Sequence, residues 1–263
     1  MLDDPWFYAI AVPTVILIGI SKGGVAGGLG MLGVPLLSLR IPPLEAAAVL
    51  LPLLIVMDIH GVWEYRRDFD RRNILQMVPG AVVGTVIAAA TAHIVTDDQV
   101  KLMVGLISVV FTLNAWFSIV GRFVRTRQDK AREQDGLRTG LGGGLFWGAI
   151  AGYTSFLAHA GAPPVQVHLL PQRLPTRTYV ATTVVFFFFT NAIKVPPYLM
   201  LGTLDRSTLL TSLVLAPLAP IGMKIGFWTV KAIPVELFYR ISWILVFIIG
   251  LKLMLDGLGL RLF

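Results

Sequence analysis

Long apolar stretches separated by short polar segments dominate the chain. A membrane-spanning helix needs about 20 largely apolar residues. Six stretches fit one crossing each, and charged or turn-forming residues mark their ends, as at Thr96-Asp97-Asp98. They are residues 44–63, 74–95, 102–120, 179–200, 208–230 and 237–255. The pattern therefore predicts six transmembrane helices.

Two further apolar segments are too long for one straight span and too short for two. Residues 5–39 carry a single charge, Lys22, and residues 139–172 carry none. Gly, Ser, Pro and His interrupt each segment, in GISKGGVAGGLGMLGVP and in AGYTSFLAHAGAPP. Such helix breakers are tolerated at membrane depth where the freed backbone groups line a protected cavity. Each segment is predicted to form two half-helices that meet near the middle of the membrane.

Landmark residues recur in the same order in the two halves of the chain. The correspondences are Gly33-Val34-Pro35 with Gly161-Ala162-Pro163, Asp58 with Asn191, Phe69-Asp70-Arg71 with Leu204-Asp205-Arg206, and the pair Gly80/Gly84 with Gly222/Gly226. The offsets of 128, 133, 135 and 142 rise steadily, as small insertions in the second half require. We therefore expect an all-α polytopic membrane protein with two transmembrane repeats, residues 1–120 and 141–263, joined by a basic cytoplasmic connector, residues 121–140.

Each repeat then has one broken hairpin followed by three spans, which allows two orientations. If each hairpin enters and leaves on the same side, the repeats are inverted, and residues 66–72, the connector, Arg173, Arg177 and Lys231 lie in the cytoplasm. If each broken segment crosses fully, the repeats are parallel and Arg173 and Arg177 lie outside. The positive-inside rule favours the inverted arrangement.

The glycine pairs Gly80/Gly84 and Gly222/Gly226 have the spacing of closely packed membrane helices and are interpreted as packing positions.

Composition supports a membrane protein and excludes other classes. Hydrophobic residues make up 56% of the chain and charged residues 14%, whereas soluble domains carry about 25% charged residues. A soluble enzyme is therefore excluded. The net charge is +7, but the basic residues lie in separate loops instead of one patch, so no nucleic-acid partner is expected. With no cysteine and no metal-ligand spacing, we expect neither a metal nor a cofactor.

Two strings resemble a known family. SKGGVAGGLGMLGVPLLSL in the first half, and TSFLAHAGAPPVQVHLLPQRLPTRTYVATTVVFFFFTNAIKVPPYLMLG in the second, are similar to the TauE/SafE sulfite exporters, also called 4-toluene sulfonate uptake permeases. The resemblance implies a multi-pass permease of the bacterial inner membrane that moves sulfur-containing anions such as sulfite, sulfonates or sulfoacetate. Where the family often has two glycines before the paired prolines, this chain has Gly161-Ala162, which restricts backbone approach at Ala162.

Both interrupted segments contain candidates for binding an anion. The N-terminus of a half-helix offers unsatisfied N–H groups and the positive end of the helix dipole, and nearby glycines let an anion reach the backbone. Expected substrate-binding residues are Ser21, Lys22, Gly23, Gly24 and Gly28 in the first segment, and Ser155, His159 and Gly161 in the second.

Two lysines are candidates for the positive charge of the site. Lys22 is a lone charge in a 35-residue apolar segment, which is costly unless it faces a cavity or has a partner. The alternative is that Lys22 extends to an interface. Lys194, near the predicted end of its span, is open to the same two interpretations.

Three further polar residues within apolar segments have two interpretations each. His159 either handles the anion or a coupled proton, or it bonds to a carbonyl freed by the broken helix. Asp58 either pairs with Lys22 and binds a coupling ion, or it ends its span in water. Asn191 either donates to the anion or holds helices together. His168 and His93 are interpreted as interfacial, and most of Phe186 to Phe189 as core or lipid contacts.

The leading hypothesis is a secondary transporter that works by alternating access, with a small sulfur-containing anion as substrate and a proton or sodium ion as coupling ion. No Walker motif is present, so an internal ATPase is not expected. The alternatives are a passive anion channel and, without support from any catalytic motif, an intramembrane enzyme. Membrane lipid is an expected partner, while substrate identity, direction and oligomeric state stay open.

Overall fold

A computed structural model describes residues 4–24, 29–92, 94–117, 141–169, 172, 174–232 and 235–260. All regular structure in these residues is helical, which confirms the predicted all-α class. The helices are α1 (Pro5–Gly24), a 3-10 turn (Leu29–Leu32), α2 (Gly33–Leu37), α3 (Pro43–Tyr65), α4 (Arg71–Thr91), α5 (Asp97–Phe117), α6 (Leu141–Ala158), α7 (Ala162–Leu169), α8 (Thr176–Met200), α9 (Arg206–Leu215), α10 (Leu218–Ala232) and α11 (Val235–Gly257). The basic connector, residues 121–140, lies outside the described residues.

Among the described residues, four helices are long and apolar enough to cross a membrane: α1, α3, α4 and α8. A fifth crossing results if α9 and α10 form one span. Residues 208–230, predicted as one crossing, do not form one continuous helix, because α9 and α10 meet at a bend of 41°. Pro217 stands in this break, where its missing N–H and its ring prevent a continuous helix.

Both over-long segments are broken, as predicted, but their arms are unequal. In the first segment, α1 has 20 residues, and only the four-residue 3-10 turn and the five-residue α2 return. In the second, α6 has 18 residues and α7 has 8. Each hairpin therefore has one long arm and one short arm instead of two half-helices of similar length. The first helix of each segment ends past the midpoint of that segment, so each first arm is close to the length of a full span.

Matching helices in the two halves begin with the same caps. Pro42 precedes α3 and Pro175 precedes α8, with nearly identical backbone angles. Asp70 caps α4 by accepting from the N–H of Asn73, and Asp205 caps α9 by accepting from the N–H of Thr208. These caps satisfy N–H groups that the first turn leaves free. Their separations of 133 and 135 residues agree with the landmark offsets of the sequence.

Glycines bring α4 and α6 into backbone contact. A Cβ on Gly80 would lie 2.1 Å from the Leu145 carbonyl oxygen, and one on Gly84 would lie 1.9 Å from that of Ala149. The packing interpretation of this pair is therefore confirmed. Contacts advance along both helices together, so α4 and α6 run parallel. Gly222 makes a similar close contact between α10 and α1, where a Cβ would lie 2.8 Å from the Ile16 carbonyl oxygen.

The helices α3 and α8 pack against each other in opposite directions. Asp58 bonds to Asn191, and Gly61, one turn later on α3, lies against Val184, two turns earlier on α8. The helices α5 and α11 are also antiparallel. Gly105 lies against Met254 and Gly250, whereas Gly257 lies against Leu102 and Asp98, nearer the start of α5.

The helix α3 lies at the centre of the packing. Of its membrane-length window, 56% is buried inside the protein, against 39% to 44% for the other three. It contacts both arms of the first hairpin as well as α5, α6, α8, α9 and α10. The Asp58 side chain on α3 is consequently sheltered from lipid by neighbouring helices. This position makes Asp58 a buried internal group.

Candidate functional site

A cavity of about 250 Å³ lies mainly between the second half of α3 and the first half of α8, and both hairpins contribute to its wall. Its lining residues are Ser21, Lys22, Gly30, Met31, Leu54, Met57, Asp58, Gly61, Tyr65, Ser155, His159, Ala162, Gln166, Tyr179, Val180, Thr183, Val184, Phe187, Asn191 and Met223. Neighbouring wall positions on α8 are one, three or four residues apart, so a single face of that helix borders the cavity. The hairpin breaks thus border a chamber, as expected for broken membrane helices.

Lys22, Asp58 and Asn191 form a continuous polar chain across the cavity. Lys22, in the last turn of α1, forms an ion pair with one carboxylate oxygen of Asp58. The other oxygen of Asp58 accepts a hydrogen bond from the Asn191 amide at 2.6 Å. The Asp58 side chain is only 3% exposed and α3 continues to Tyr65, so the interpretation of Asp58 as a water-exposed span end is wrong. Lys22 is paired inside the protein, as the lone-charge argument predicts.

A second cation, Lys194, is completely buried beside this chain. Its Nζ donates to the Ser155 carbonyl oxygen at 3.1 Å and to the Ser155 hydroxyl at 3.0 Å, and it lies 2.7 Å from Nδ1 of His159. An ammonium has three donors, and three acceptors surround this one. The interpretation of Lys194 as extending to an interface is therefore wrong. Lys194 does not itself line the cavity but lies behind Ser155 and His159.

The hydrogen bonds of His159 determine its tautomer. Nε2 lies 2.9 Å from the carbonyl oxygen of Ala47 on α3, and since a carbonyl can only accept, Nε2 carries a proton. Nδ1 of the neutral ring then accepts from Lys194. Both ring nitrogens are occupied, so His159 donates to an anion only after one of these bonds opens. The carbonyl belongs to α3, and the expected bond to a carbonyl of the broken helix itself is not formed.

His159 also has an unusual backbone conformation. Its φ is +51°, the left-handed region, and it follows the last residue of α6. Its N–H bonds to the Ser155 carbonyl at 3.0 Å, which closes the end of the helix. Glycine is the usual residue at this position of a helix C-cap. A histidine there costs conformational energy, and such strain persists where the surroundings determine the conformation and often marks a functional position.

The other expected site residues have different positions. Ser21 and Ser155 line the cavity, as does Ala162, where the sequence departs from the family pattern. Gly161 packs inside the hairpin, and a Cβ on it would lie 2.9 Å from the Ala151 carbonyl oxygen. Gly23 and Gly24 belong to the last turn of α1, and Gly28 lies outside the described residues. Ser21 to Gly24 thus form a helix C-terminus, which corrects the expected N-terminus, and its negative dipole end favours Lys22.

His168, interpreted as interfacial, is enclosed by protein beside the first turn of α4. His168 is buried, and its Nε2 lies 3.0 Å from the side-chain oxygen of Asn73. Asn73 and Gln172 exchange amide hydrogen bonds at 2.9 Å, so this group joins the second hairpin to the start of α4. His93 lies outside the described residues.

Most of the apolar cavity wall is formed by residues that the sequence pattern does not indicate as site residues. Tyr65 and Tyr179 were not singled out, and Phe187 is the one aromatic of its four-residue run that lines the cavity. Phe186 is buried in the core and Phe189 is 40% exposed, which confirms the packed or lipid-facing interpretation for them. The available signal was helical spacing: Phe187 lies one turn before Asn191, and Tyr65 lies two turns after Asp58.

In the part of the chain that the structure describes, no group of three or more His, Asp or Glu side chains is placed to hold a metal ion.

Comparison with protein families matches the model described as "Sulfite exporter TauE/SafE" over residues 11–253. Comparisons with curated proteins and with solved structures found no match. The family match covers the second hairpin, all but the first six residues of the first hairpin, and all the residues of the polar chain. The chain therefore belongs to the TauE/SafE sulfite exporter family, a family of membrane transporters.

Proposed function

We propose that the protein is a multi-pass secondary transporter of the bacterial inner membrane that carries a small sulfur-containing anion by alternating access. The observation that carries this proposal is the cavity with a cation, a carboxylate and an amide at its inner end, enclosed by two broken hairpins. Charged groups inside a membrane protein are costly and typically mark a transport pathway. Family membership supports transport as such, and the substrate, mechanism and membrane are our inference.

The anion binds where Lys22 and Asn191 now hold Asp58. Lys22 supplies charge, and the Asn191 amide and the serine hydroxyls supply donors suited to oxyanion oxygens. Asp58 competes with the anion for the same two donors. The competition keeps binding reversible, because a released anion is replaced at once by the carboxylate. Lys194 adds positive potential from behind Ser155 without direct contact.

Competition at Asp58 also couples the anion to a cation. When Asp58 accepts a proton, its hold on Lys22 weakens, and the anion takes over both donors. A proton and an anion then load together, so a proton gradient drives anion movement. Sodium is the alternative coupling ion, and an uptake assay with separate pH and sodium gradients distinguishes the two. Dependence on neither gradient would overturn the coupling proposal.

Antiparallel packing of corresponding helices supports inverted repeats. By the landmark offset of 133 residues, α3 corresponds to α8, and these helices run in opposite directions. The same is true of the last helix of each half, α5 and α11. A two-fold axis in the membrane plane relates such halves, as in many secondary transporters. Under this arrangement residue 263 and residues 66–72 lie on opposite sides, which a reporter fused to the C-terminus tests.

The two ends of the α3 and α8 pair differ in a way that supports alternating access. The cavity borders the end of α3, where Gly61 and Tyr65 form part of its wall. The corresponding residues on α8, Lys194 and Tyr198, are fully buried at the other end. Tyr198 donates from its hydroxyl to the Phe156 carbonyl. If the end of α3 adopted the buried packing now seen at Lys194 and Tyr198, and those residues adopted the open packing, the cavity would close on the side of residues 66–72. A corresponding cavity would then open on the other side.

Flux measurements on the reconstituted protein test the proposal. In proteoliposomes, radiolabelled sulfite and methanesulfonate should show saturable uptake, which unlabelled anion inside the vesicles accelerates. Acceleration by exchange is a property of carriers, whereas a passive channel gives linear flux without it. Absence of saturable flux for every sulfur anion tested, in protein shown to be folded, would overturn transport. If the protein instead takes a substrate from the lipid phase and converts it chemically, the alternative of an intramembrane enzyme is favoured.

A further inference from the structure

The segment that joins α3 to α4, residues 66–72, carries four exposed arginines. They are Arg66, Arg67, Arg71 and Arg72. The two aspartates of the segment have other partners, since Asp68 pairs with Arg177 at 3.0 Å and Asp70 caps α4. Among the residues that the structure describes, no carboxylate forms an ion pair with any of the four arginines. Their guanidinium groups are therefore available to an anion from outside the protein.

The corresponding segment of the second half forms without this charge. At the landmark offset of 133, Arg66 and Arg67 correspond to Leu199 and Met200. The segment nevertheless turns in the same way and ends in an aspartate cap, Asp205. Arginines in the first turn of α4 are in addition unfavourable for that helix, because the positive end of its dipole lies there. The four arginines of the first half are thus not needed for the folding of their own turn.

Exposed apolar faces of both helices lead directly to these arginines. On α3, Ile59, Trp63 and Arg67 are exposed and follow one another at intervals of four residues, which places them on one face. On α4, Arg71 stands one turn before Leu75, which is 74% exposed, and exposed valines continue that face. Both helices are apolar enough to cross a membrane, so these faces contact hydrocarbon. The arginines lie where each hydrocarbon-facing surface ends.

The depth of this cluster is marked by Trp63, whose side chain is 73% exposed. Tryptophan is enriched at the boundary between membrane and water, at the level of the lipid headgroups. The Arg66 guanidinium carbon lies 4.3 Å from the centroid of the Trp63 ring, and Nη1 of Arg66 donates to the Trp63 carbonyl at 3.5 Å. This stacking holds the charge of Arg66 beside the ring. A cation at that level is a neighbour of the lipid phosphates.

We propose that residues 66–72 bind the phosphate of an anionic phospholipid whose acyl chains lie along the exposed faces of α3 and α4. A guanidinium forms two parallel hydrogen bonds with phosphate, a geometry that lysine does not offer. A zwitterionic headgroup brings its own ammonium close to the arginines, whereas an anionic headgroup does not, so the cluster selects anionic lipid. A second copy of the chain, packed symmetrically on this surface, would place its own arginines against these. Lipid is therefore the occupant that the charge fits.

Lipid binding to the purified full-length protein in neutral detergent tests this proposal. The probes are dioleoylphosphatidylglycerol and dioleoylphosphatidylcholine, with bound lipid counted by native mass spectrometry, and inorganic phosphate as competitor. Phosphatidylglycerol is expected to bind at least about tenfold more tightly, because each arginine near an anionic headgroup strengthens binding by roughly a factor of five. Free phosphate should not displace it, since the acyl chains also hold the lipid. Equal affinity for the two lipids, or full displacement by phosphate, would overturn the lipid assignment.

A matched pair of variants locates the lipid at this segment. Arg66→Gln combined with Arg67→Gln should reduce the preference for phosphatidylglycerol about tenfold. Arg206→Gln should leave it unchanged, because Arg206 corresponds to Arg71 but lies at the opposite end of the antiparallel α3 and α8 pair. Detergent has no leaflets, so the orientation of the protein in a membrane does not affect this comparison. If the double variant keeps the full preference, these arginines only orient the protein and the proposal is wrong.

Salt provides a second measurement that does not depend on the folding of a variant. Screening shortens the range of charge interactions to about 3 Å at about 1 M salt. The preference of the unmodified protein for phosphatidylglycerol should therefore fall at least about tenfold between low salt and this concentration. A preference that salt leaves unchanged would contradict recognition by exposed arginines.

Discussion

Asn191 on α8 donates its side-chain amide to Asp58 on α3 at 2.6 Å, and the two residues hold corresponding positions in the two halves of the chain. The pair therefore lies where the halves meet, and one half contributes a carboxylate and the other a neutral amide. This asymmetry gives the centre of the molecule a single titratable acid that lines the cavity together with Lys22. Replacing the carboxylate of Asp58 by an amide, or the amide of Asn191 by a carboxylate, should change the charge of the site without changing its shape.

The first prediction concerns this charge. Asn191→Asp places a second carboxylate beside Asp58 and should weaken monoanion binding at least tenfold, because like charges this close repel by more than the 1.4 kcal/mol that a factor of ten requires. Asp58→Asn should strengthen binding and make uptake independent of pH between 5.5 and 8. Tracer uptake measured across this pH range checks both. Unchanged pH dependence in Asp58→Asn would remove Asp58 from the coupling step.

The second prediction separates binding from stability at Lys22. Lys22→Ala removes the cation of the cavity and leaves the Asp58 carboxylate facing it, so binding should fall roughly a hundredfold, or about 2.7 kcal/mol. The melting temperature should also fall, because Asp58 loses its counter-charge, but Asn191 still donates to the carboxylate and the protein should stay folded. Lys252→Ala is the matched control, because Lys252 also pairs with an aspartate, Asp256, but neither residue lines the cavity. If Lys22→Ala loses binding only to the extent that it loses folded protein, Lys22 has a structural role alone.

The third prediction concerns the backbone at His159. Asn tolerates the left-handed region better than Ala, and its side chain can still accept from Lys194. His159→Asn should therefore keep more thermal stability than His159→Ala, while both should lose most transport because the link to the Ala47 carbonyl is broken. Melting temperature and tracer flux, measured on the same preparations, check this. Transport at the original rate in His159→Ala would show that the link from Lys194 to α3 is dispensable.

The fourth prediction concerns the contact between α4 and α6. A Cβ at Gly84 would lie 1.9 Å from a backbone oxygen, so Gly84→Ala forces the two helices apart. We expect loss of folded protein in detergent, as judged by size-exclusion chromatography. Gly142→Ala, also in a helix of this pair but with nothing within 4 Å of the added methyl group, should fold as well as the original protein or better. Equal yields of the two variants would contradict the close-packing account.

The sequence predicted the fold more completely than it predicted the site. Apolar run lengths located the spans of α3, α4 and α8, because membrane thickness fixes that length. The break between α9 and α10 was missed because hydropathy averages over Pro217. Lys22 and Asp58 were found because isolated charges stand out in apolar segments. Tyr65 and Val184 were missed, since an apolar cavity wall and a lipid-facing surface have the same composition, and only packing distinguishes them.

The same packing allows a direct test of the exchange between the two ends of α3 and α8. Val184 lines the cavity, and the corresponding residue on α3, Leu51, is fully buried. Because the chain has no cysteine, Val184→Cys and Leu51→Cys each introduce a single thiol. A membrane-impermeant thiol reagent should modify the first from the side of residues 66–72, and the second only from the opposite side during turnover. Val185→Cys, on a buried face of α8, is the unreactive control. Continued transport with Leu51→Cys never reacting from either side would contradict alternating access, because a carrier must open at both ends of this helix pair.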